Sequence, residues 1–211
     1  MRANKKSIEQ NEKLIEEYPF LLPRNAWTGE VDDEYDYSWT ELDCIPGAWK
    51  DVYGILICED LKRILGDKVN EFRFDDIKEK YGALRIYSNM EPKEWHTQLW
   101  KYEHLTENTC YECGKIGTPL TNDGWILPIC RDCYEHPRKE PMYERRPYDE
   151  VVCKYDEGYK FSPIIKIRHA STEGNYIEKI DCSDILTRVD QKYKKDLQIF
   201  FGRKPTDSSV G

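Results

Sequence analysis

Two pairs of cysteines constrain this chain more than anything else in it. Cys110-Tyr-Glu-Cys113 and Cys130-Arg-Asp-Cys133 are each a CxxC, and sixteen residues lie between them. Two intervening residues let a tight turn aim both sulfurs of a pair at one ion, and two such turns complete a tetrahedron. The spacing therefore predicts one structural Zn2+ held by Cys110, Cys113, Cys130 and Cys133. Four thiolates leave no open position for water, which argues against catalysis by that metal. A redox dithiol or a disulfide is the alternative chemistry for the same residues. Gly114 supplies the positive φ that the first turn needs. Between the pairs, Asn122-Asp-Gly124 signals a hairpin turn and Trp125-Ile-Leu127 reads as a strand. The expected unit is a zinc ribbon over residues 109–137.

The rest of the chain has to build a core around or beside that ribbon. Leu, Ile, Val and Phe number 45 of 211 residues, just above the level that suggests disorder. Fifteen Tyr and six Trp add the apolar area that this count misses. An aromatic core under a heavily charged surface follows. The net charge of −8 is uneven: residues 1–108 carry 15 bases and 23 acids, and residues 109–211 carry 17 of each. That average argues against tight nonspecific DNA binding. Residues 1–10 are polar, so no signal peptide is expected, and no apolar run nears the ~18 residues of a membrane span. The expected setting is the cytoplasm, a reducing compartment where paired CxxC motifs bind metal rather than form disulfides.

Taken in order, residues 5–18 predict a short amphipathic helix with Ile8, Leu14 and Ile15 on one stripe. The stretch Tyr18-Pro-Phe-Leu-Leu-Pro23 is apolar and bracketed by prolines, so it should be extended and packed. Residues 25–43 hold seven acids, Glu30, Asp32, Asp33, Glu34, Asp36, Glu41 and Asp43, interleaved with Tyr35, Tyr37 and Trp39. They suggest an irregular strand or an aromatic-anchored loop. Its acids make either a solvated surface, a recognition surface, or carboxylates for a hard metal. After a turn at Ile45-Pro-Gly-Ala-Trp49, Asp51 is expected to cap a helix to about Leu65, ended by Gly66-Asp67. Cys58 falls near its apolar face as a buried thiol, and the same role is expected of Cys44. From Val69 to Ser88 the apolar period switches to two, which predicts a hairpin turning near Gly82. Arg85 and Tyr87 share one face of its second strand and could grip an anion or simply face solvent. Trp95, Leu99 and Tyr102 mark another helix over 92–106. His96 and His104 lie on it without metal-ligand spacing.

After Cys133, three prolines and four bases over 136–147 read as a linker or extended arm. Residues 148–181 look β-rich around Val151-Val152, Phe161 to Ile167 and Asn175 to Ile180, with turns at Asp156-Glu-Gly158 and Glu173-Gly174. Ser183 or Asp184 should cap a last helix to about Phe201, with Ile185, Leu186, Val189, Tyr193, Leu197 and Phe200 inward and a basic outer side. The spacing of Cys153, Cys182, His136 and His169 lacks the close pairs of a second zinc site. No GxSxG, phosphate-binding glycine loop, HExxH or nucleophilic Cys–His pattern is present.

Three motifs carry a resemblance. Tyr35-Asp-Tyr-Ser-Trp-Thr-Glu-Leu-Asp43 with Trp49 and Gly54, Ile77-Lys-Glu-Lys-Tyr-Gly-Ala-Leu-Arg-Ile-Tyr87, and the CxxCG…GW…CxxC ribbon together resemble a group of uncharacterised zinc-ribbon proteins encoded by bacteria, prophages and phages. The resemblance covers roughly residues 18–135 and departs at Gly47-Ala-Trp49, where the group has Gly-Trp. It implies a setting, that of a small accessory protein engaging a host factor in a bacterial cytoplasm, and no mechanism.

The expectation is then an α+β chain: an acidic aromatic module (1–108), the ribbon (109–137), a Pro/Arg-rich linker (138–147) and a β-plus-helix module (148–211). The expected function is zinc-dependent protein binding without catalysis. The alternatives are nucleic-acid binding through Arg131, Arg138, Lys139, Arg145 and Arg146, and a hydrolase using Asp32, Asp33, Asp36, Glu41 and Asp43.

Overall fold

A computed structural model describes residues 5–25, 27–140, 143–152, 160–171 and 174–201. The first helix, α1 (Lys5–Glu17), lays Leu14 and Ile15 on the core. The proline-bracketed stretch that follows is packed as its composition demands, with Tyr18, Phe20 and Leu21 buried. It is not extended: Pro19–Leu21 form a 3-10 turn, closed by Leu21 N–H donating to the Tyr18 carbonyl at 2.9 Å. The fixed φ of Pro19 suits the first position of a helical turn as readily as a strand.

Residues 25–40 form a loop rather than a strand, apart from Ala26, which is not described, and Glu41–Cys44 close it as a 3-10 turn. Short polar side chains hold its bends. Asn25 Oδ1 accepts the N–H groups of Trp27 and Thr28, Asp32 accepts that of Glu34, and Asp36 that of Ser38. Such side-chain-to-backbone bonds compete directly with strand pairing.

The next helix starts earlier than Asp51. It opens as α2 (Gly47–Trp49), passes through a wide π turn at Lys50–Gly54, and continues as α3 (Ile55–Leu65). The start lies at Pro46, whose carbonyl accepts Lys50 N–H at 2.8 Å. Asp51 therefore lies inside the wide turn and caps nothing. Gly66, with φ 53°, ends the helix as expected. Strands β1 (Phe74–Lys80) and β2 (Ala83–Ser88) pair antiparallel through Tyr81-Gly82, both in the left-handed region at φ 56° and 82°. That is the two-residue turn whose twist matches the flanking strands. Helix α4 (Lys93–Glu107) packs on β2 and delivers the chain to Cys110.

The ribbon contains β3 (Leu120–Asn122) and β4 (Ile126–Pro128), followed by α5 (Arg131–Glu135). Trp125 lies in the turn with its ring exposed, and the strand begins one residue later. Beyond the proline-rich segment, Val151 belongs to a short helix, α6 (Tyr148–Val151), not to a strand. Pro147 precedes it, and Asp149 and Glu150 sit in its first turn, where the helix dipole favours acids. Val152 alone keeps a strand-like role, bridging to Thr121 of β3. Strands β5 (Ile164–Ser171) and β6 (Gly174–Asp181) form a third antiparallel pair, and α7 (Ser183–Phe201) follows. The Asp181 carboxylate, two residues before the expected cap at Ser183, accepts Ser183 N–H at 2.8 Å. The turns expected at 156–158 and at Glu173 lie outside the described residues.

The core is aromatic, as the composition predicts: Trp49, Trp95, Tyr53 and Tyr102 are its largest fully buried side chains. Phe20, Phe72, Phe74 and Trp95 meet edge to face, the arrangement that the ring quadrupole prefers. Ile185 and Val189 of α7 join this same cluster. Tyr193, expected inward, is exposed, and the side chains of Leu197 and Phe200 lie outside the description. Helix α7 is also clamped by charge. Asp60 of α3, buried, accepts hydrogen bonds from Gln98 Nε2 (2.7 Å), Tyr102 Oη (2.6 Å) and Arg188 Nη1 (2.7 Å). Arg188 reaches Glu59 at 2.8 Å with its other nitrogen. A buried carboxylate with that many donors is satisfied, so the network fixes α7 rather than straining it.

Candidate metal centre

The first knuckle forms where the chain leaves α4. Cys110 N–H donates to the Lys115 carbonyl and Gly114 N–H to the Cys110 carbonyl, both at 2.9 Å. Gly114 has φ 76°, the left-handed turn that its place after Cys113 predicts. In the second knuckle, Cys130 directly precedes α5, and Cys133 comes round on its first turn. The four sulfurs lie within 4.8 Å of one another, close enough to hold a metal ion. Cys113 Sγ and Cys130 Sγ are 3.7 Å apart. A tetrahedron with Zn–S bonds of about 2.3 Å has sulfur–sulfur edges of about 3.8 Å. Cys110, Cys130 and Cys133 are buried and Cys113 is exposed.

The surroundings shift the thiols of Cys110, Cys113 and Cys133 in different directions. Burial pushes the Cys110 thiol up to about 11, although the N–H groups of Cys130, Cys113 and Glu112 point towards it. Burial, followed by the thiols of Cys113 and Cys130, pushes Cys133 up as well. Cys113 goes the other way. Burial acts to raise it, but the Lys115 N–H and the neighbouring thiols outweigh that and bring it below the ordinary value. A divalent cation at the centre of the four sulfurs replaces the protons and removes the conflict.

The knuckles are not free-standing. A Cβ on Gly114 would meet Val52 Cγ2 at 2.8 Å, and one on Gly82 would meet Leu120 Cδ2 at 2.5 Å. The wide helical turn and the β1–β2 turn therefore press directly on the ribbon. Thr109, beside the first ligand, is a hydrogen-bond hub. Its carbonyl accepts Trp49 Nε1–H at 2.8 Å, while its hydroxyl meets Tyr53 Oη and the Leu105 carbonyl, each at 2.7 Å. Sequence reasoning missed this hub, since a lone threonine before a cysteine carries no signal. It also missed Asp60, which an acid on the apolar stripe of α3 could have flagged.

The five bases considered for nucleic acid separate into two groups. Arg131 pairs with Glu135 at 3.0 Å and with Asp149. Arg145 donates to the Tyr134 carbonyl at 2.7 Å and lies 3.6 Å from Glu112. Arg146 pairs with Asp123 at 2.8 Å and reaches the Asn122 carbonyl. These three fasten the proline-rich segment and α6 onto the ribbon. Arg138 and Lys139 instead line a cleft of about 610 Å³ beside Tyr111, Cys113 and Tyr193.

Among the described residues, the four cysteines are the one group of His, Cys, Asp or Glu close enough to hold a metal. The acids of 30–43 do not converge. Asp43 caps Thr40 N–H and pairs with Lys50, and Asp32 and Asp36 hold their own bends. Glu41 is pushed up to about 7 by burial, against the Arg24 N–H and the Cys44 thiol. Cys44, expected buried, is exposed, whereas Cys58 and Cys182 are buried. His136 pairs with Asp132 and His169 with Glu178; neither meets Cys182, and Cys153 is outside the described residues. Arg85 pairs with Glu103 of α4, and Tyr87 is exposed beneath Lys78. Among the described residues, no helix is long and apolar enough to cross a membrane. No protein-family model, no curated protein and no solved structure matches the chain.

Proposed function

We propose that this chain is a zinc-binding accessory protein of the phage or mobile-element type, acting in a bacterial cytoplasm. Its metal is a structural clasp, and its work is to bind another protein. The observation that carries the reading is the closed set of four sulfurs, three of them buried, with a turn seated against the main core at Val52. An all-thiolate tetrahedron selects zinc or iron among the common metals, and zinc is the usual occupant of a closed ribbon. The surface best suited to a partner is the 25–43 loop. Trp27 is 95% exposed and Trp39 42%. Glu30, Asp32, Asp33, Glu34 and Asp36 make no ion pair with any described residue. The resemblance of the three motifs to those of phage and prophage zinc-ribbon proteins supports the setting.

Elemental analysis of the protein purified from the native host tests the metal: one zinc per chain is expected, and none sinks the reading. Affinity capture from the same host tests the partner. A defined protein should be retained by the intact chain and lost from a Trp27→Ala/Trp39→Ala double variant that keeps its zinc. Equal retention by both would remove the loop from the interface.

A further inference from the structure

The β5–β6 hairpin has two unlike faces. Directly opposed residues of an antiparallel pair point the same way. One face therefore holds the pairs Ile165–Ile180, Ile167–Glu178 and His169–Tyr176. Its root is turned to the protein: Ile180 is buried, Ile165 packs on the main core, and Ile167 shares a cavity wall with Trp100 and His104 of α4. The other face holds Lys166 opposite Lys179, then Arg168 opposite Ile177. All four residues are exposed, and none of the three bases makes an ion pair with a described residue. The ribbon's arginines are engaged by neighbouring acids; among the described residues, these bases are not. Two lysines directly opposed across a strand pair repel each other, and an anion lying over both relieves that repulsion.

We propose that this outward face of the β5–β6 hairpin is a binding site for duplex nucleic acid, through phosphate contacts from Lys166, Arg168 and Lys179. A two-stranded ribbon is one of the few elements that the major groove, about 12 Å wide, admits. Phosphate contacts position such a ribbon, and Ile177, opposite Arg168 and beside Lys179, supplies an apolar contact. An acidic membrane fits less well, because surface anchoring places aromatics beside the bases, and Tyr176 is on the opposite face. The excess acid of the chain lies before residue 109, and salt screens it beyond about 8 Å at physiological strength. The inference stands apart from the protein-binding reading, which concerns the 25–43 loop.

The test is fluorescence anisotropy of a labelled 20-base-pair duplex titrated with the full zinc-loaded chain at 50, 100 and 200 mM NaCl. Three phosphate contacts give a log–log slope of about −2.7, or about 40-fold weaker binding across that range. Lys166→Glu/Lys179→Glu should weaken binding at least tenfold at 50 mM, with zinc content and melting temperature unchanged. Lys13→Glu, the same charge change on α1, should alter it less than threefold. No binding at 50 mM salt overturns the proposal, as does binding that the hairpin variant leaves intact. Sedimentation with phosphatidylserine vesicles in place of duplex binding would assign the face to membranes and overturn it too.

Discussion

The ribbon hairpin β3–β4 and the arm β5–β6 are both antiparallel pairs, built on opposite principles. The ribbon's strands are three residues long, too short to hold together alone. Four sulfurs, the seats of Gly114 against Val52 and of Leu120 against Gly82, and arginines that turn back onto its carbonyls and acids hold it. The arm's strands are eight residues long with a full ladder, yet beyond its root residues 175–179 are exposed. Length and pairing do not make an element central to the fold; what it presses against does.

Removing the metal should break the ribbon and spare the arm. Structural zinc contributes on the order of 10 kcal/mol, comparable to the whole stability of a domain. Cys110→Ser or Cys130→Ser should therefore lose the ion and the cooperative melting of the ribbon, read by zinc analysis and calorimetry. Full retention of both would refute the site. Acid should act in the same direction, because each thiol must shed its proton to bind and Cys110 is held up at about 11. Zinc affinity should rise from pH 6 to pH 8, measured with a competing chelator.

The clamp that follows the arm comes next in size. Arg188→Ala leaves Asp60 buried without its cation, which typically destabilises by about 3–5 kcal/mol in urea unfolding. A loss below 1 kcal/mol would show that α7 is held by Ile185 and Val189 alone. Gly114→Ala imposes a strained φ and a 2.8 Å contact on Val52, so a loss of about 1–3 kcal/mol is expected. Ile177→Thr, on the free part of the arm, should change stability by no more than about 0.5 kcal/mol. A larger change would mean that the arm is as integral as the ribbon.

How legible these regions are in the sequence follows from the same physics. The four cysteines, the hairpin around Gly82, the helix over Trp95–Tyr102 and the aromatic core could all be read from spacing and period, which are local. The start at Pro46, the helical turn at Val151 and the exposed Cys44 could not. Each depends on a proline's reach or on which neighbours arrive from elsewhere in the chain. The hub at Thr109 and the two faces of the arm are likewise properties of register and docking, and no single residue announces them.

The wide turn at Lys50–Gly54 bears on how the chain can change length. A π turn holds one residue more than α geometry allows in the same rise. Deleting one residue there would return the turn to α geometry with its flanks still in phase, whereas the same deletion inside α3 would rotate everything before it by about 100°. In that second case Trp49 would swing away from the Thr109 carbonyl, and the seat beneath Gly114 would be lost. The number of residues between Trp49 and α3 sets the angular phase at which the helix meets the metal clasp, and the wide turn carries the slack, so a single-residue deletion should be tolerated better there than inside α3.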